Sequence, residues 1–201
     1  SAADMSKPAD ITVMVAQCEK SFGSCDILVN NAGIQFTAPL EEFPLEKWDA
    51  IIAINLSSAF HSAKAALPGM RKNKFGRIIN IASAHGLVAS KNKAAYVAAK
   101  HGIVGLTKVI ALEAAESGIT CNAICPGWVH TPLVQKQIED KAKAEKISVE
   151  EATNKLLGEK QPNMRFIKPE NIGAMIVFLA SENGDAMTGE IISMDGGWTA
   201  Q

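Results

Sequence analysis

Four short apolar segments constrain the fold of this chain most strongly, because each is rich in Ile or Val and ends in small or turn-forming residues. They read DILVNNAG (26–33), RIINIAS (77–83), GITCNAICPG (118–127) and EIISMDGG (190–197). Their apolarity is continuous rather than alternating, which predicts strands that are buried on both faces, as in a parallel sheet.

Longer segments with helical periodicity separate these strands. They cover residues 9–22, about 45–70, about 93–116 and 169–181, and the last begins with a proline in its first turn. Alternation of strands and helices predicts an α/β fold with a doubly wound, Rossmann-like parallel sheet. A chain of 201 residues fits one domain, which we expect to span residues 1–201.

Residues 131–167, the lid segment, differ from the rest because they are highly charged and helix-prone. They predict either a solvated helical hairpin or a lid over the carboxyl ends of the strands, where such folds bind ligands. Their position directly after a strand end favours the lid.

Bulk properties exclude several classes of protein. A net charge of −1 provides no basic field for nucleic acid or for an anionic membrane surface. No uninterrupted apolar run approaches the roughly 20 residues that span a bilayer, and the first ten residues lack a signal pattern. Cys121 and Cys125 lie too far apart along one strand to bridge, and no residue cluster has metal-ligand spacing. We therefore expect free thiols, no metal and a reducing cytoplasm.

Tyr96 and Lys100 carry the clearest chemical signal. They stand four residues apart in a helical pattern, so both side chains should lie on one face. A phenol has a pKa near 10, and a neighbouring ammonium group should favour the phenolate and lower that pKa. The pair alone has little specificity, since it occurs by chance on many helices.

Polar or turn-forming residues at successive strand ends make the signal specific. Ser83 ends the strand that precedes Tyr96, the NNAG turn (30–33) ends the strand before it, and Asn55 lies within the intervening helix. The sequence PGW (126–128) ends the next strand and is followed by Thr131. Each could be a cap, a core amide or a turn, but chance is a poor explanation for all of them in this order.

The order NNAG, mid-helix Asn, Ser, YVAAK and PGWVHT resembles the short-chain dehydrogenase/reductase family over nearly the whole chain. This resemblance implies hydride transfer between a nicotinamide cofactor and a small hydroxy or keto substrate. It implies that Tyr96 is the acid/base, that Ser83 stabilises the substrate oxygen, that Lys100 lowers the tyrosine pKa and holds the nicotinamide ribose, and that Asn55 keeps a water in a proton relay. The cofactor contacts that it implies are Asp4, Met5, Asn31, Ala32, Gly33, Tyr96, Lys100, Pro126, Gly127, Trp128, Val129 and Thr131.

Four further polar residues, Gln35, His85, Lys93 and Gln137, predict a carboxylate substrate. Singly each is an ordinary surface residue, but one cation with three hydrogen-bonding groups suits a carboxylate. With Trp128 and Trp198 as apolar walls beside Ser83 and Tyr96, the set resembles the bacterial family members that act on D-3-hydroxybutyrate. The resemblance implies NAD-dependent oxidation to acetoacetate. A reductase of another small carbonyl or 3-oxoacyl group, and a non-catalytic truncated subunit, remain as alternatives.

The family's glycine-rich turn, Thr-Gly-x-x-x-Gly-x-Gly, and the acidic residue that selects NAD over NADP do not occur in residues 1–201. The resemblance therefore implies a further strand, helix and strand before residue 1, and a truncated polypeptide that binds NAD poorly is the alternative. Without those elements the NNAG strand would be an exposed apolar edge. The family's habit and the apolar long helices also imply a homotetramer.

Overall fold

A single sheet of four parallel strands organises the computed structural model, which describes residues 1–200 apart from the side chain of Leu133. The strands are β1 (Ile27–Asn30), β2 (Gly76–Ile81), β3 (Ile119–Pro126) and β4 (Ile191–Met194), and they lie side by side in chain order. The predicted α/β fold with a parallel sheet is confirmed. The strands are shorter than the apolar segments, because the small residues that end each segment turn away from the sheet.

Within residues 1–200, seven α-helices connect and cover the strands. They are α1 (Pro8–Phe22), α2 (Leu45–Ile52), α3 (Ser58–Asn73), α4 (Ala94–Ala114), α5 (Pro132–Glu145), α6 (Val149–Gly158) and α7 (Pro169–Ala180). The sequence predicts one helix over 45–70, but a π-helical turn, Ala53–Ser57, separates α2 from α3. This wider turn contains Asn55, which is buried, and such turns are common at functional sites.

The two faces of the sheet carry different helices. Ile78 of β2 belongs to a core cluster with residues of α1, α3 and α4, whereas its neighbour Ile79 packs with Ile124 and with Leu179 of α7. Successive side chains of a strand point to opposite faces, so both faces of β2 are covered. The continuous apolarity of the strand segments follows from this double burial.

β1 forms one edge of the sheet, since it pairs only with β2 among the described strands. Ile27 is 50% exposed and Val29 is 38% exposed. The structure therefore has the apolar edge that the sequence predicts for this strand.

Two helical stretches, Leu45–Asn73 and Ala94–Ser117, are long and apolar enough to cross a membrane by length and composition alone. Neither stretch is an uninterrupted apolar run, because small and polar residues are interspersed. Ile103 and Ile110 of α4 instead fill the core beside the sheet, as expected for the core helix of a globular domain. On the outer side of α4, Leu112 is 81% exposed.

The lid segment is helical as predicted. Its helices α5 and α6 pack on each other through a small core that includes Ile138 and Leu156. Trp128, which follows the end of β3, packs against this core. The lid segment is therefore attached at the carboxyl edge of the sheet.

Candidate active site

A cavity of about 590 Å³ opens at the carboxyl ends of β1, β2 and β3. Residues that follow these strands line it together with residues of α4 and α7. The carboxyl ends of parallel strands meet at one edge of the sheet, which is where ligands bind in open α/β folds. Segments that are distant in the sequence thus supply a common site.

Tyr96, Ser83 and Lys100 meet in this cavity. The Ser83 hydroxyl lies close enough to the Tyr96 phenol to influence its pKa, and its oxygen accepts a hydrogen bond from the His85 backbone N–H at 3.2 Å. Lys100 Nζ lies 5.6 Å from the centroid of the Tyr96 ring and donates to the Ile81 carbonyl at 2.7 Å. The structure therefore brings together the three side chains that the sequence predicts to act together.

Burial is the largest influence on the pKa values of Tyr96 and Lys100. It raises the pKa of Tyr96, and the hydrogen bond with Ser83 opposes the rise. Burial also lowers the pKa of Lys100 to about 8. The pKa of Tyr96 is therefore shifted in the opposite direction to the sequence prediction, because the loss of water around the phenol disfavours the phenolate.

Asn55 fixes the segment that follows the NNAG turn. Its Oδ1 accepts from the Ile34 N–H and its Nδ2 donates to the Ile34 carbonyl, both at 2.9 Å. Gly33 and Ile34 line the large cavity, so this paired amide holds one of its walls. The role of Asn55 in a proton relay stays a prediction.

A second cavity of about 180 Å³ adjoins the first, and every predicted substrate residue lines it. These residues are Gln35, Ser83, His85, Lys93, Tyr96, Trp128, Gln137 and Trp198. Gln35, Ser83 and Tyr96 line both cavities and thus mark the junction between them. The volume is below the range of roughly 300–1,000 Å³ for drug-sized ligands, so this cavity suits a very small molecule.

His85 is a neutral hydrogen-bonding group at the back of the small cavity. Its Nε2 lies 2.9 Å from the Ser90 hydroxyl, and its ring packs edge-on against Tyr96 and Trp198 at centroid distances of 5.8 and 5.0 Å. Burial, followed by the charge of Lys93, lowers the pKa of His85 to about 4. The imidazole therefore carries no charge at neutral pH.

Lys93 gives the small cavity its positive charge. Its Nζ lies 5.6 Å from the centroid of a Trp128 ring, and burial lowers its pKa. No Asp or Glu within residues 1–200 lines this cavity. A carboxylate that enters would meet a cation without having to displace an acidic side chain.

The predicted cofactor residues other than Asp4 line three cavities, and several of them line two. Asn31, Gly33, Pro126, Gly127, Val129 and Thr131 line the large cavity with Tyr96 and Lys100. Trp128 faces the small cavity instead. Met5, Ala32 and Asn31 line a separate cavity of about 200 Å³ beside β1.

Asp4 lines none of these three cavities in the described part of the chain. Its carboxylate accepts from the backbone and hydroxyl of Ser6 and pairs with Lys7 at 3.4 Å. Residues 1–4 form no strand in the structure and lead into the turn that precedes α1.

Sequence reasoning missed two residues of the lid segment. Gln161 is fully buried, and its Oε1 accepts from the Trp128 backbone N–H at 2.9 Å. Its amide nitrogen donates to the Arg165 carbonyl. Lys160, the preceding residue, lies 5.9 Å from the centroid of a Trp198 ring. Nothing in a charged, helix-prone segment distinguishes these two side chains from solvated ones.

Known proteins share both the sequence and the fold of this chain. A family model described as enoyl-(acyl carrier protein) reductase matches residues 1–199. The chain is 61% identical to a D-beta-hydroxybutyrate dehydrogenase of Cupriavidus necator and 56% identical to one of Rhizobium meliloti. Each match covers 99% of this chain and 77% of the relative. The solved structure of levodione reductase is 32% identical with a TM-score of 0.89, over 98% of this chain and 76% of that one. The resemblance seen in the sequence motifs is thus confirmed, and the chain belongs to the short-chain dehydrogenase/reductase family of oxidoreductases.

Proposed function

We propose that this chain catalyses the reversible, NAD-dependent oxidation of D-3-hydroxybutyrate to acetoacetate. The observation that carries the proposal is the small cavity of about 180 Å³, where a cation and three neutral hydrogen-bonding side chains adjoin Ser83 and Tyr96. The names of the relatives from Cupriavidus necator and Rhizobium meliloti support the same substrate.

The carboxylate of the substrate would occupy the end of the small cavity that Lys93 faces. Gln137 and neutral His85 supply further hydrogen-bonding groups in the same cavity, and Gln35 supplies an amide from its junction with the large cavity. The carbon that bears the hydroxyl group would then lie toward Tyr96 and Ser83, at the junction with the large cavity. A short hydroxy acid is small enough for a cavity of about 180 Å³ and carries its carboxylate and its hydroxyl group at different positions along the chain.

Tyr96 would accept the hydroxyl proton of the substrate during oxidation, and Ser83 would donate a hydrogen bond to the same oxygen as charge develops. Because burial disfavours the phenolate, Tyr96 needs the positive charge of Lys100 nearby to release its proton. Since the pKa of Lys100 is about 8, its side chain is charged in most protein molecules at neutral pH.

The large cavity suits the nicotinamide end of the cofactor in volume and lining. Its 590 Å³ lies within the usual range for ligand sites, Gly33 and Gly127 offer backbone without side chains, and Asn31 and Thr131 offer polar groups. When bound, the nicotinamide ring supplies the hydride acceptor. Lys100 would hold its ribose, and the assignment of NAD rather than NADP follows from the resemblance to the D-3-hydroxybutyrate branch of the family.

We also propose a homotetramer in the cytoplasm. Exposed apolar side chains on the outer faces of the long helices, Phe60 of α3 with Val109 and Leu112 of α4, are suited to packing between subunits. The four cysteines are free thiols, as expected in a reducing compartment. Molecular mass in solution, measured by light scattering, tests the assembly, and a monomer would contradict it.

Formation of the reduced cofactor, followed by its near-ultraviolet absorbance, tests the proposed reaction. The protein is mixed with D-3-hydroxybutyrate and either NAD or NADP, and in parallel with the uncharged amide of the same acid. We expect turnover of the acid with NAD and little with the amide or with NADP. Faster reduction of a 3-oxoacyl thioester than of acetoacetate would favour the reductase alternative, and an inert protein would favour the non-catalytic one.

A further inference from the structure

Lys160 is a cation beside the small cavity that none of the steps above uses. It follows α6 and directly precedes Gln161, whose buried amide accepts from the Trp128 backbone N–H. The backbone at Lys160 is therefore anchored to the cavity wall rather than free in solvent. Its Nζ lies 5.9 Å from the centroid of a ring of Trp198, which lines the cavity.

Each of the two tryptophans that line the small cavity has one lysine ammonium group over its ring. The Trp128 and Trp198 rings stack with centroids 6.1 Å apart and planes inclined by 28°. Lys93 lies over the first and Lys160 over the second. Within residues 1–200, neither Nζ has a carboxylate within 4.0 Å.

The charge of Lys160 reaches the interior of the cavity. After burial, it is the next cause that lowers the pKa of Lys93, and it also contributes to the lowered pKa of His85. Two like charges that act on each other across a partly buried site are unfavourable. An anion between or beside them would relieve this repulsion.

We propose that Lys160 is a second carboxylate-binding residue, which attracts the anionic substrate at the mouth of the cavity and holds it together with Lys93. The inference rests on the proposed function and deepens it, because it makes the site selective for anions through two cations from different segments. Lys160 belongs to the lid segment, so the bound carboxylate would link the lid segment to the loop that carries Lys93.

Binding of butyrate, an unreactive carboxylate of the same chain length, tests the inference without turnover. It is titrated in the presence of NAD and followed by tryptophan fluorescence, since Trp128 and Trp198 line the cavity. Lys160→Gln removes the charge, Lys160→Arg keeps it, and Lys143→Gln removes an exposed charge from α5 of the same lid segment. Each variant is also assayed for kcat and KM with D-3-hydroxybutyrate at several salt concentrations.

We expect Lys160→Gln to raise the butyrate Kd and the hydroxybutyrate KM about fivefold, which is the upper range for a partly exposed ion pair. The kcat should be unchanged and the dependence of KM on salt weaker, because a screened attraction has been removed. Lys160→Arg should restore both constants, and Lys143→Gln should behave as the wild type.

An unchanged butyrate Kd in Lys160→Gln would overturn the inference, and so would a loss of affinity that Lys160→Arg does not restore. If butyrate binds in a Lys160-dependent way but D-3-hydroxybutyrate is not oxidised, the proposed reaction fails while the carboxylate-binding role of Lys160 stands. The two claims are thus tested separately.

Discussion

Lys93→Met isolates the contribution of one charge to substrate binding. Methionine keeps the apolar part of the side chain but lacks the ammonium group that lies 5.6 Å from the centroid of a Trp128 ring. Lys93 is partly desolvated before any substrate binds, which is why its pKa is lowered. Little further desolvation of the lysine then offsets the interaction with the carboxylate.

Lys93→Met should remove a charge-assisted hydrogen bond between Lys93 and the substrate carboxylate, which should weaken substrate binding by about 1.5–3 kcal/mol. At about 1.4 kcal/mol for each tenfold change, this corresponds to a KM for D-3-hydroxybutyrate that is about 10- to 150-fold higher. The kcat and the affinity for NAD should change little, because Lys93 lines the small cavity and not the large one.

Steady-state kinetics with D-3-hydroxybutyrate and with its uncharged amide provide the assay. Lys91→Met is the matched control, since Lys91 is exposed in the same loop two residues away. A similar rise in KM for the amide, or an equal effect of Lys91→Met, would refute the idea that Lys93 binds the carboxylate.

Three other outcomes follow from the geometry of the site. Tyr96→Phe should lower kcat by a factor of about 10² to 10⁴, the usual contribution of general acid–base catalysis, and unimpaired turnover by this variant would contradict the role of Tyr96. Oxidation by the wild type should accelerate as pH rises, because the reaction needs the phenolate of Tyr96, whose pKa is raised. The free energy of unfolding, measured by chemical denaturation at a series of pH values, should fall by up to about 3 kcal/mol between pH 6.5 and pH 4. His85 binds a proton in this range in the unfolded chain but not in the folded protein. His85→Asn should flatten this pH dependence. Gln161→Leu should destabilise the protein by about 1 kcal/mol or more, since it leaves the partly buried backbone N–H of Trp128 without its partner. It should also raise KM. A melting temperature equal to that of the wild type would rule out this anchoring role.

The architecture could be predicted from local sequence pattern because the pattern and the fold share a physical cause. Strands buried on both faces require continuous apolar residues, and the turns at their carboxyl ends require small residues. These turns place Ser83 and the NNAG residues at one edge. The meeting of Ser83 with Tyr96 and Lys100 could be predicted because the helix that carries the pair follows the Ser83 strand and its spacing puts both side chains on one face.

The division of the long helix at Asn55 was not foreseeable in the same way. Helical periodicity runs through residues 45–70, and the π-helical turn depends on a tertiary contact in which both amide atoms of Asn55 pair with Ile34. A contact across 21 residues leaves no trace in the local pattern.

Residue types and their order along the chain thus determined the family, the parallel sheet and the set of side chains that line the small cavity. Only the tertiary structure decided that the pKa of Tyr96 is raised rather than lowered, because desolvation depends on how completely the surrounding elements exclude water from the phenol. It alone also placed Lys160 and Gln161 at the cavity wall. Their positions depend on how the lid segment packs against Trp128 and Trp198, and side chains in a charged segment acquire such roles only through packing at long range.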